Sequence, residues 1–260
     1  MRLRDRVLLL VADDSAGIRT PQSEVLSNEE AIALECAREG AKIVVVAQRH
    51  DTAAAIAAAV EAEGGAAHPV NLEGLRLEDF ERAVGSAVNK FAKVDLLVNL
   101  IGSVDQSNVL DLDVDAFDKN LRENVSGQFL AIKTALPYMI KTGGGAIVLV
   151  SSLSALRCGG AGIGYETGKS ALLAMTRNVA VAFAPRNIRV NSILPGVLDS
   201  AAFRAAAGDR VGAFGARVPM KRLGSPKEFA KAIAFLLSED ASYITGTSLV
   251  LDGGFGISIS

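Results

Sequence analysis

The residues with the clearest potential for chemistry are Tyr165 and Lys169, which stand four positions apart in the segment Tyr165-Glu-Thr-Gly-Lys169. Residues at this spacing share one face of an α-helix, so the ammonium can lie close to the phenol. A nearby cation favours the ionised phenol and lowers a pKa that starts near ~10 in water. The pattern therefore predicts a tyrosine that acts as a general acid or base.

Ser152 and Asn124 complete this candidate site. Ser152 stands thirteen positions before Tyr165 and follows the apolar run Ala146–Ser151, while Asn124 lies in an earlier predicted helix. A hydroxyl at the carboxyl end of a strand can hold a substrate carbonyl oxygen and stabilise charge that develops there. The serine and asparagine make the Tyr-x-x-x-Lys pattern specific, because that pattern alone occurs by chance in many helices.

Seven apolar runs alternate with segments of helical spacing and predict the elements that carry these residues. The runs are continuous rather than alternating, which is typical of parallel strands covered on both faces. The predicted strands are Arg6–Ala12, Lys42–Ala47, Ala67–Leu72, Val94–Leu100, Ala146–Ser151, Ile188–Leu194 and Ser248–Leu251. The predicted helices are Asn28–Glu39, Asp51–Glu63, Leu77–Phe91, Ala116–Lys141, Gly164–Ala184 and Pro226–Ser238. This order predicts a single doubly wound, Rossmann-type α/β domain over residues 1–260, with a seven-stranded parallel sheet and helices on both faces.

Composition excludes several classes of partner. The 260 residues carry 27 basic and 29 acidic side chains, a net charge of −2, so we expect no binding to nucleic acid or to a membrane surface. Two cysteines and two histidines make a disulfide framework or a metal site unexpected. The apolar run after the charged N-terminus is too short for a signal peptide, so we expect a cytoplasmic protein.

The chain resembles the short-chain dehydrogenase/reductase family over nearly its whole length. The resemblance is carried by the Ser152, Tyr165 and Lys169 set and by Asn124-Val-Ser-Gly127, Asn191-Ser-Ile-Leu-Pro-Gly196, Pro219–Glu228 and Tyr243–Gly254. It implies that Tyr165 transfers the proton and that Ser152 holds the substrate oxygen. It also implies that Lys169 bonds the nicotinamide ribose, and that Asn124 holds a water linking the lysine to solvent.

The resemblance implies a dinucleotide site along the carboxyl ends of the strands. The family's glycine-rich turn aligns with Ala12–Arg19, where Gly17, Ile18 and Arg19 would meet the diphosphate. Gln48 and Arg49 end the second strand without a carboxylate, which favours NADP over NAD. The remaining predicted contacts are Asn71, Leu72, Asn99, Gly102, Pro195, Gly196 and Val197.

The glycine-rich turn departs from the family pattern. Asp13 and Arg19 replace two of its glycines, and residues 19–28 form an insertion before the first helix resumes. Ser27 or Asn28 would cap that helix and place Glu29 and Glu30 in its first turn, where carboxylates satisfy the helix dipole and repel a diphosphate. Alternatively, the insertion packs over a bound cofactor and Arg19 supplies a phosphate contact. NAD, or no cofactor, therefore remains open beside NADP.

Three functions remain open on the sequence. The first is an NADP-linked oxidoreductase that interconverts a ketone and a secondary alcohol, with Tyr165 as proton donor or acceptor. The second is a cofactor-independent lyase, isomerase or dehydratase that uses the same triad, and the third is a non-catalytic partner subunit. In the family, residues 197–222 form a lid over the substrate, and tetramers are common. The apolar residues near the lid predict a small hydrophobic or cyclic substrate, and they are Leu153, Leu156, Ile163, Val197, Leu198 and Phe203.

Overall fold

The computed structural model describes residues 1–13 and 25–258, and within them it contains the seven predicted strands in one parallel sheet. The sheet order is β3-β2-β1-β4-β5-β6-β7, and every neighbouring pair is parallel. The strands are β1 (Val7–Val11), β2 (Lys42–Ala47), β3 (Ala67–Asn71), β4 (Leu96–Asn99), β5 (Gly145–Val150), β6 (Ile188–Pro195) and β7 (Ser248–Leu251). The doubly wound fold class is therefore confirmed.

Helices cover both faces of the sheet, and all six predicted helices are present. The helices are α1 (Asn28–Arg38), α2 (His50–Ala62), α3 (Leu77–Phe91), α4 (Val114–Leu121), α5 (Gly127–Lys141), α6 (Ile163–Phe183), α7 (Ala201–Ala207), α8 (Val211–Arg217) and α9 (Pro226–Leu237). The helix predicted over 116–141 starts earlier, at Val114, and a π-helical turn at Arg122–Ser126 separates α4 from α5. The short helices α7 and α8 lie in the segment 197–222, where the sequence predicted a lid.

The core is divided by the sheet into two apolar layers. Along β1, Leu8 and Leu10 belong to the layer that includes residues of α1 and α9, and Leu9 belongs to the layer of α3 and α5. Because successive side chains of a strand point to opposite faces, a continuous apolar run is required to fill both layers. This explains why the strands could be read from uninterrupted apolar runs.

The sheet places the carboxyl ends of its strands along one edge, and its winding direction changes between β1 and β4. Those two strands are neighbours, although β2 and β3 lie between them in sequence. In open α/β sheets, ligands bind at the carboxyl ends next to such a point. Asp13 follows β1 there, and Gly102 follows β4.

The edge strand β3 contains a proline in its middle. Ile43 donates a backbone hydrogen bond to Ala66 O at 2.9 Å, and Leu72 donates one to Ala47 O at 2.7 Å. In a parallel pair these bonds alternate along the strand, so the backbone groups of Pro69 face away from β2. The missing N–H of the proline therefore costs the sheet no internal hydrogen bond.

Within residues 1–13 and 25–258, each helix is too short or too polar to cross a lipid bilayer.

Candidate active site

Ser152, Tyr165 and Lys169 meet where β5 and α6 approach each other. The Ser151 hydroxyl donates to Lys169 O at 2.8 Å and so joins the end of β5 to α6. Lys169 Nζ lies 5.6 Å from the centroid of the Tyr165 ring, and the Ser152 side chain is close enough to Tyr165 to lower the pKa of its phenol. The structure thus brings together the three groups that the sequence pattern predicted to act jointly.

The Lys169 ammonium is buried at the base of this site. Lys169 is 4% exposed, and its Nζ donates a hydrogen bond to Val150 O at 3.0 Å. Burial lowers the pKa of Lys169 to about 8, while the nearby Asp13 acts in the opposite direction. Lys169 therefore remains mostly charged at neutral pH and loses its proton in mildly alkaline solution.

The expectation that the pKa of Tyr165 is lowered was wrong. Burial raises the pKa of Tyr165; the nearby Ser152 side chain acts against this, and the charges of Asp13 and Glu166 add to it. The helical spacing correctly predicted proximity to Lys169, but it carried no information about desolvation of the phenol. Tyr165 is consequently protonated at neutral pH, which is the form that can give a proton to a carbonyl oxygen.

Gly102, Asn124 and Lys169 form a small cradle beside the sheet edge. Asn124 lies in the π-helical turn, is fully buried, and donates from Nδ2 to Ser103 O at 2.8 Å. Its Oδ1 is buried and has no hydrogen-bond partner among the described residues. A Cβ on Gly102 would overlap this oxygen and lie 3.2 Å from Lys169 Nζ. The cradle therefore has an unpartnered acceptor and an ammonium close together, and a side chain at position 102 would collide with them.

Most of the other predicted cofactor residues lie along the same edge. Gln48 and Arg49 are exposed after β2, and Arg49 is the N-cap residue of α2. Asn71 is exposed and Leu72 is buried at the end of β3.

At the end of β6, Pro195, Gly196 and Val197 are half-buried. A Cβ on Gly196 would lie 2.9 Å from the Asp252 Cβ, so a glycine is needed at this position.

Asn99 has a different position from the exposed candidates. It is fully buried, and its Oδ1 accepts a hydrogen bond from Ile101 N at 3.0 Å. Its side chain thereby shapes the turn that leads from β4 to Gly102.

The edge next to β1 carries two carboxyl groups. Ser27 caps α1 as predicted, and Glu29 in the first turn is 3% exposed. The Ser27 hydroxyl and the backbone N–H groups of Asp13 and Glu29 act to lower the pKa of the Glu29 carboxyl. Burial, with the charge of Asp13, raises the pKa of Glu29 to about 7. The first turn of α1 thus contains a buried carboxyl at the end of the helix that would otherwise favour a bound anion.

The predicted diphosphate contacts Gly17, Ile18 and Arg19 lie outside the described residues, as do residues 19–24 of the predicted insertion.

Comparison with known proteins agrees with this geometry. A family model described as enoyl-(acyl carrier protein) reductase matches residues 30–256. The chain is 35% identical to L-rhamnose 1-dehydrogenase (NAD(P)(+)) of Azotobacter vinelandii over 236 residues, which cover 88% of this chain and 92% of the relative. The chain belongs to the short-chain dehydrogenase/reductase family.

Two further relatives of the short-chain dehydrogenase/reductase family match nearly the whole chain. A 7alpha-hydroxysteroid dehydrogenase of Clostridium sardiniense is 30% identical and covers 98% of this chain and 95% of its own length. A crystal structure from Burkholderia xenovorans, described as a short-chain dehydrogenase/reductase, superposes with a TM-score of 0.91 at 33% identity. That match covers 100% of this chain and 99% of the other. The protein is therefore an oxidoreductase of the short-chain dehydrogenase/reductase type.

The short-chain dehydrogenase/reductase family uses nicotinamide cofactors, and the cradle fits one end of such a group. The buried Asn124 Oδ1 has no hydrogen-bond partner among the described residues, and the Lys169 ammonium lies near it, so an acceptor and a donor are available together. Ribose hydroxyls need such a pair of partners. The Asp13 and Glu29 carboxyls next to β1 are less suitable neighbours for the negatively charged diphosphate of such a cofactor.

Sequence reasoning missed the contacts that hold the loop before Tyr165. Glu166 Oε1 accepts hydrogen bonds from the N–H groups of Gly159, Gly160 and Ala161 at 2.9–3.1 Å. Burial raises the pKa of Glu166, but these backbone donors outweigh it and hold the pKa below its usual range. The glycines of this loop were visible in the sequence as a turn signal, whereas the carboxylate that orders them was not.

The loops after β4 and β5 line one cavity of about 730 Å³ against the start of α6. Its lining includes Asn108 from the first loop, Leu156 from the second, and Ile163 and Glu166 from α6. Leu156 and Ile163 are two of the apolar residues from which the sequence predicted a hydrophobic or cyclic substrate.

Proposed function

We propose that this short-chain dehydrogenase/reductase interconverts a ketone and a secondary alcohol with NADP. The observation that carries the proposal is the joint placement of Ser152, Tyr165 and Lys169 at the carboxyl edge of the sheet, next to the Gly102 cradle. The nicotinamide, when bound, supplies or accepts the hydride. The protein's own residues then have to bind the substrate oxygen and move one proton.

The proton passes through Tyr165. In the direction of reduction, the Ser152 and Tyr165 hydroxyls hold the carbonyl oxygen, and Tyr165 gives its proton as negative charge develops there. The Lys169 ammonium stabilises the resulting phenolate, since it lies one helical turn away in a site shielded from water. Asn124 Oδ1, beside Nζ, accepts from a water that returns the proton to the pair. Oxidation runs through the same groups in reverse.

The preference for NADP rests on the end of β2. Gln48 and Arg49 place an amide and a guanidinium where a carboxylate would bind the adenosine ribose hydroxyls of NAD. A guanidinium suits a 2′-phosphate because it pairs with it through two charge-assisted hydrogen bonds. The start of α2 adds the favourable end of a helix dipole at the same place.

The substrate that fits best is a ring ketone or ring alcohol with little charge. Leu156 and Ile163 contribute apolar surface to the cavity next to α6. The relative named for a hydroxysteroid supports a cyclic secondary alcohol. We also propose that residues 197–222, with α7 and α8, close over this substrate and that the protein acts in the cytoplasm as a homotetramer.

Titration calorimetry with NADPH and NADH on nucleotide-free protein tests the proposal. We expect NADPH to bind at least ~10-fold more tightly than NADH, because one Arg–phosphate pair is gained. Cyclic ketones should then consume NADPH, and Tyr165→Phe should abolish turnover while it leaves NADPH binding intact.

Absence of binding of either nucleotide at millimolar concentration would contradict the proposal. Turnover without nucleotide that Tyr165→Phe abolishes would instead favour the lyase or isomerase reaction. This alternative is kept because of the Asp13 and Glu29 carboxyls next to β1.

A further inference from the structure

The helix that carries Tyr165 has no side-chain cap of its own. The N-cap residue of α6 is Gly162, with φ +96°, and it has no side chain to accept the first backbone N–H groups. Tyr165 is the third residue of this helix, so its own N–H is one of the groups that lack a partner within the helix. An acceptor from elsewhere in the chain has to take that position.

Asp105 supplies this acceptor from the loop between β4 and α4. Its Oδ2 accepts from Tyr165 N at 3.0 Å, and its Oδ1 accepts from Ser107 N at 3.2 Å. Ser107 O in turn accepts from Ile163 N at 3.3 Å. Two of the first N–H groups of α6 therefore bond to a loop some sixty residues earlier in the chain. A carboxylate at this end of a 21-residue helix is also favoured by the helix dipole.

The close approach of the Asp105 loop to α6 depends on two glycines. A Cβ on Gly162 would overlap the backbone and side chain of Asp105, and one on Gly164 would lie 2.8 Å from Asp105 Oδ2. Real Cβ atoms do not come this near to such groups, so both positions need glycine. The contact therefore requires Asp105 in the loop and glycine at positions 162 and 164 at the start of α6.

The same loop holds Asn124 at its other end. Ser103 O accepts from Asn124 Nδ2 at 2.8 Å and from Asn120 Nδ2 at 3.3 Å. Residues 103–105 thus link the backbone of Tyr165 to the cradle that contains Asn124 and Lys169. We propose that Asp105 is a positioning residue that fixes Tyr165 relative to Ser152 and Lys169 during proton transfer.

The test compares Asp105→Ala with Asp105→Asn, and it rests on the proposed NADP-linked reaction. The amide oxygen of Asn can still accept from Tyr165 N, whereas Ala removes the acceptor. We expect Asp105→Ala to lower kcat by about 10- to 100-fold, since a shift of ~1 Å in a reacting group has such an effect. NADPH affinity should change less than ~3-fold, and Asp105→Asn should restore most of kcat.

Asp113→Ala is the matched control. Asp113 caps α4, where its carboxylate accepts from Ala116 N at 2.7 Å, so its loss removes the same kind of contact away from Tyr165. It should lower the melting temperature without lowering kcat. Turnover is expressed per NADPH-binding site counted by calorimetry, so unfolded protein does not register as a loss of kcat.

The outcomes separate this inference from the proposed function. If the unmodified protein neither binds nor consumes NADPH, the proposed function fails. If it does both, and Asp105→Ala has the same kcat as Asp113→Ala, Asp105 has no positioning role. Failure of Asp105→Asn to restore kcat would likewise overturn the inference.

Discussion

At the scale of single residues, Asp13 sets the charge balance around Tyr165 and Lys169. Its negative charge raises the pKa of both residues. Its effect is smaller than the effect of burial, which lowers the pKa of Lys169 to about 8 and raises that of Tyr165. The two burial effects have opposite signs because an ammonium is charged when protonated and a phenol is neutral.

Ketone reduction should therefore decline in alkaline solution as Lys169 loses its proton near pH 8. Asp13→Asn removes a charge that holds this pKa up, so the declining limb should move to lower pH. The measurement is kcat/KM for reduction between roughly pH 6 and 10. Asp240→Asn, a carboxylate change outside the site, is the control. An unmoved limb in Asp13→Asn would show that the limb belongs to another group.

Gly102 is a second residue whose replacement gives a sharp expectation. A Cβ there would overlap Asn124 Oδ1 and crowd Lys169 Nζ. Gly102→Ala should destabilise the fold by about 1–3 kcal/mol, as overpacking does, and should reduce NADPH affinity at least ~10-fold. Calorimetry and urea unfolding measure the two effects.

Gly85→Ala is the natural comparison for Gly102→Ala. Gly85 lies inside α3, and nothing lies within 4 Å of its missing Cβ. Gly85→Ala should raise the free energy of unfolding by about 0.5–1 kcal/mol, because Ala is more favourable than Gly in a helix interior. Wild-type NADPH affinity in Gly102→Ala would mean that the cradle does not receive the cofactor.

At the scale of elements, what the sequence could predict depended on whether the signal was local. The seven strands were predictable because a two-sided parallel strand needs an uninterrupted apolar run, as Val7–Val11 shows. The helix that carries Tyr165 and Lys169 was predictable from periodicity. The short helices α7 and α8 were not, because the Ala- and Gly-rich stretch 201–217 carries no strong period.

The contacts between distant elements could not be predicted from the sequence. Asp105 and Tyr165 are sixty residues apart, and nothing near either position indicates that a carboxylate from one loop caps the helix of the other. The wrong direction for the pKa of Tyr165 has the same origin, since burial is a property of the assembled fold. The cap of α1, in contrast, could be narrowed to Ser27 or Asn28 because capping is decided within one turn, and the structure shows that it is Ser27.

At the scale of the whole molecule, the buried Glu29 makes the stability of the fold depend on pH. The pKa of Glu29 is about 7 in the folded protein and ordinarily about 4.5. The folded state favours the protonated form of Glu29. Its contribution to the free energy of unfolding is therefore complete below pH 4.5 and is lost as the pH rises through 7. The full loss amounts to about 3 kcal/mol.

Glu29→Gln, which stays neutral, should remove this dependence. Urea unfolding at roughly pH 5 and pH 8 should show the unmodified protein losing up to about 3 kcal/mol relative to the variant. Glu30→Gln changes the adjacent carboxyl of the same turn and should follow the unmodified protein. Parallel pH profiles for the unmodified protein and Glu29→Gln would assign the dependence elsewhere.

The proline in β3 bears on how these molecules behave when crowded together. On the outer side of that strand, backbone N–H groups remain at Ala67 and Asn71, and Pro69 between them offers none. An extended segment from another copy would find no donor at Pro69, between those of Ala67 and Asn71, so its ladder of hydrogen bonds with this strand would be interrupted. Pro69 therefore hinders pairing of the edge strand β3 with another copy, and it leaves the hydrogen bonds between β2 and β3 intact.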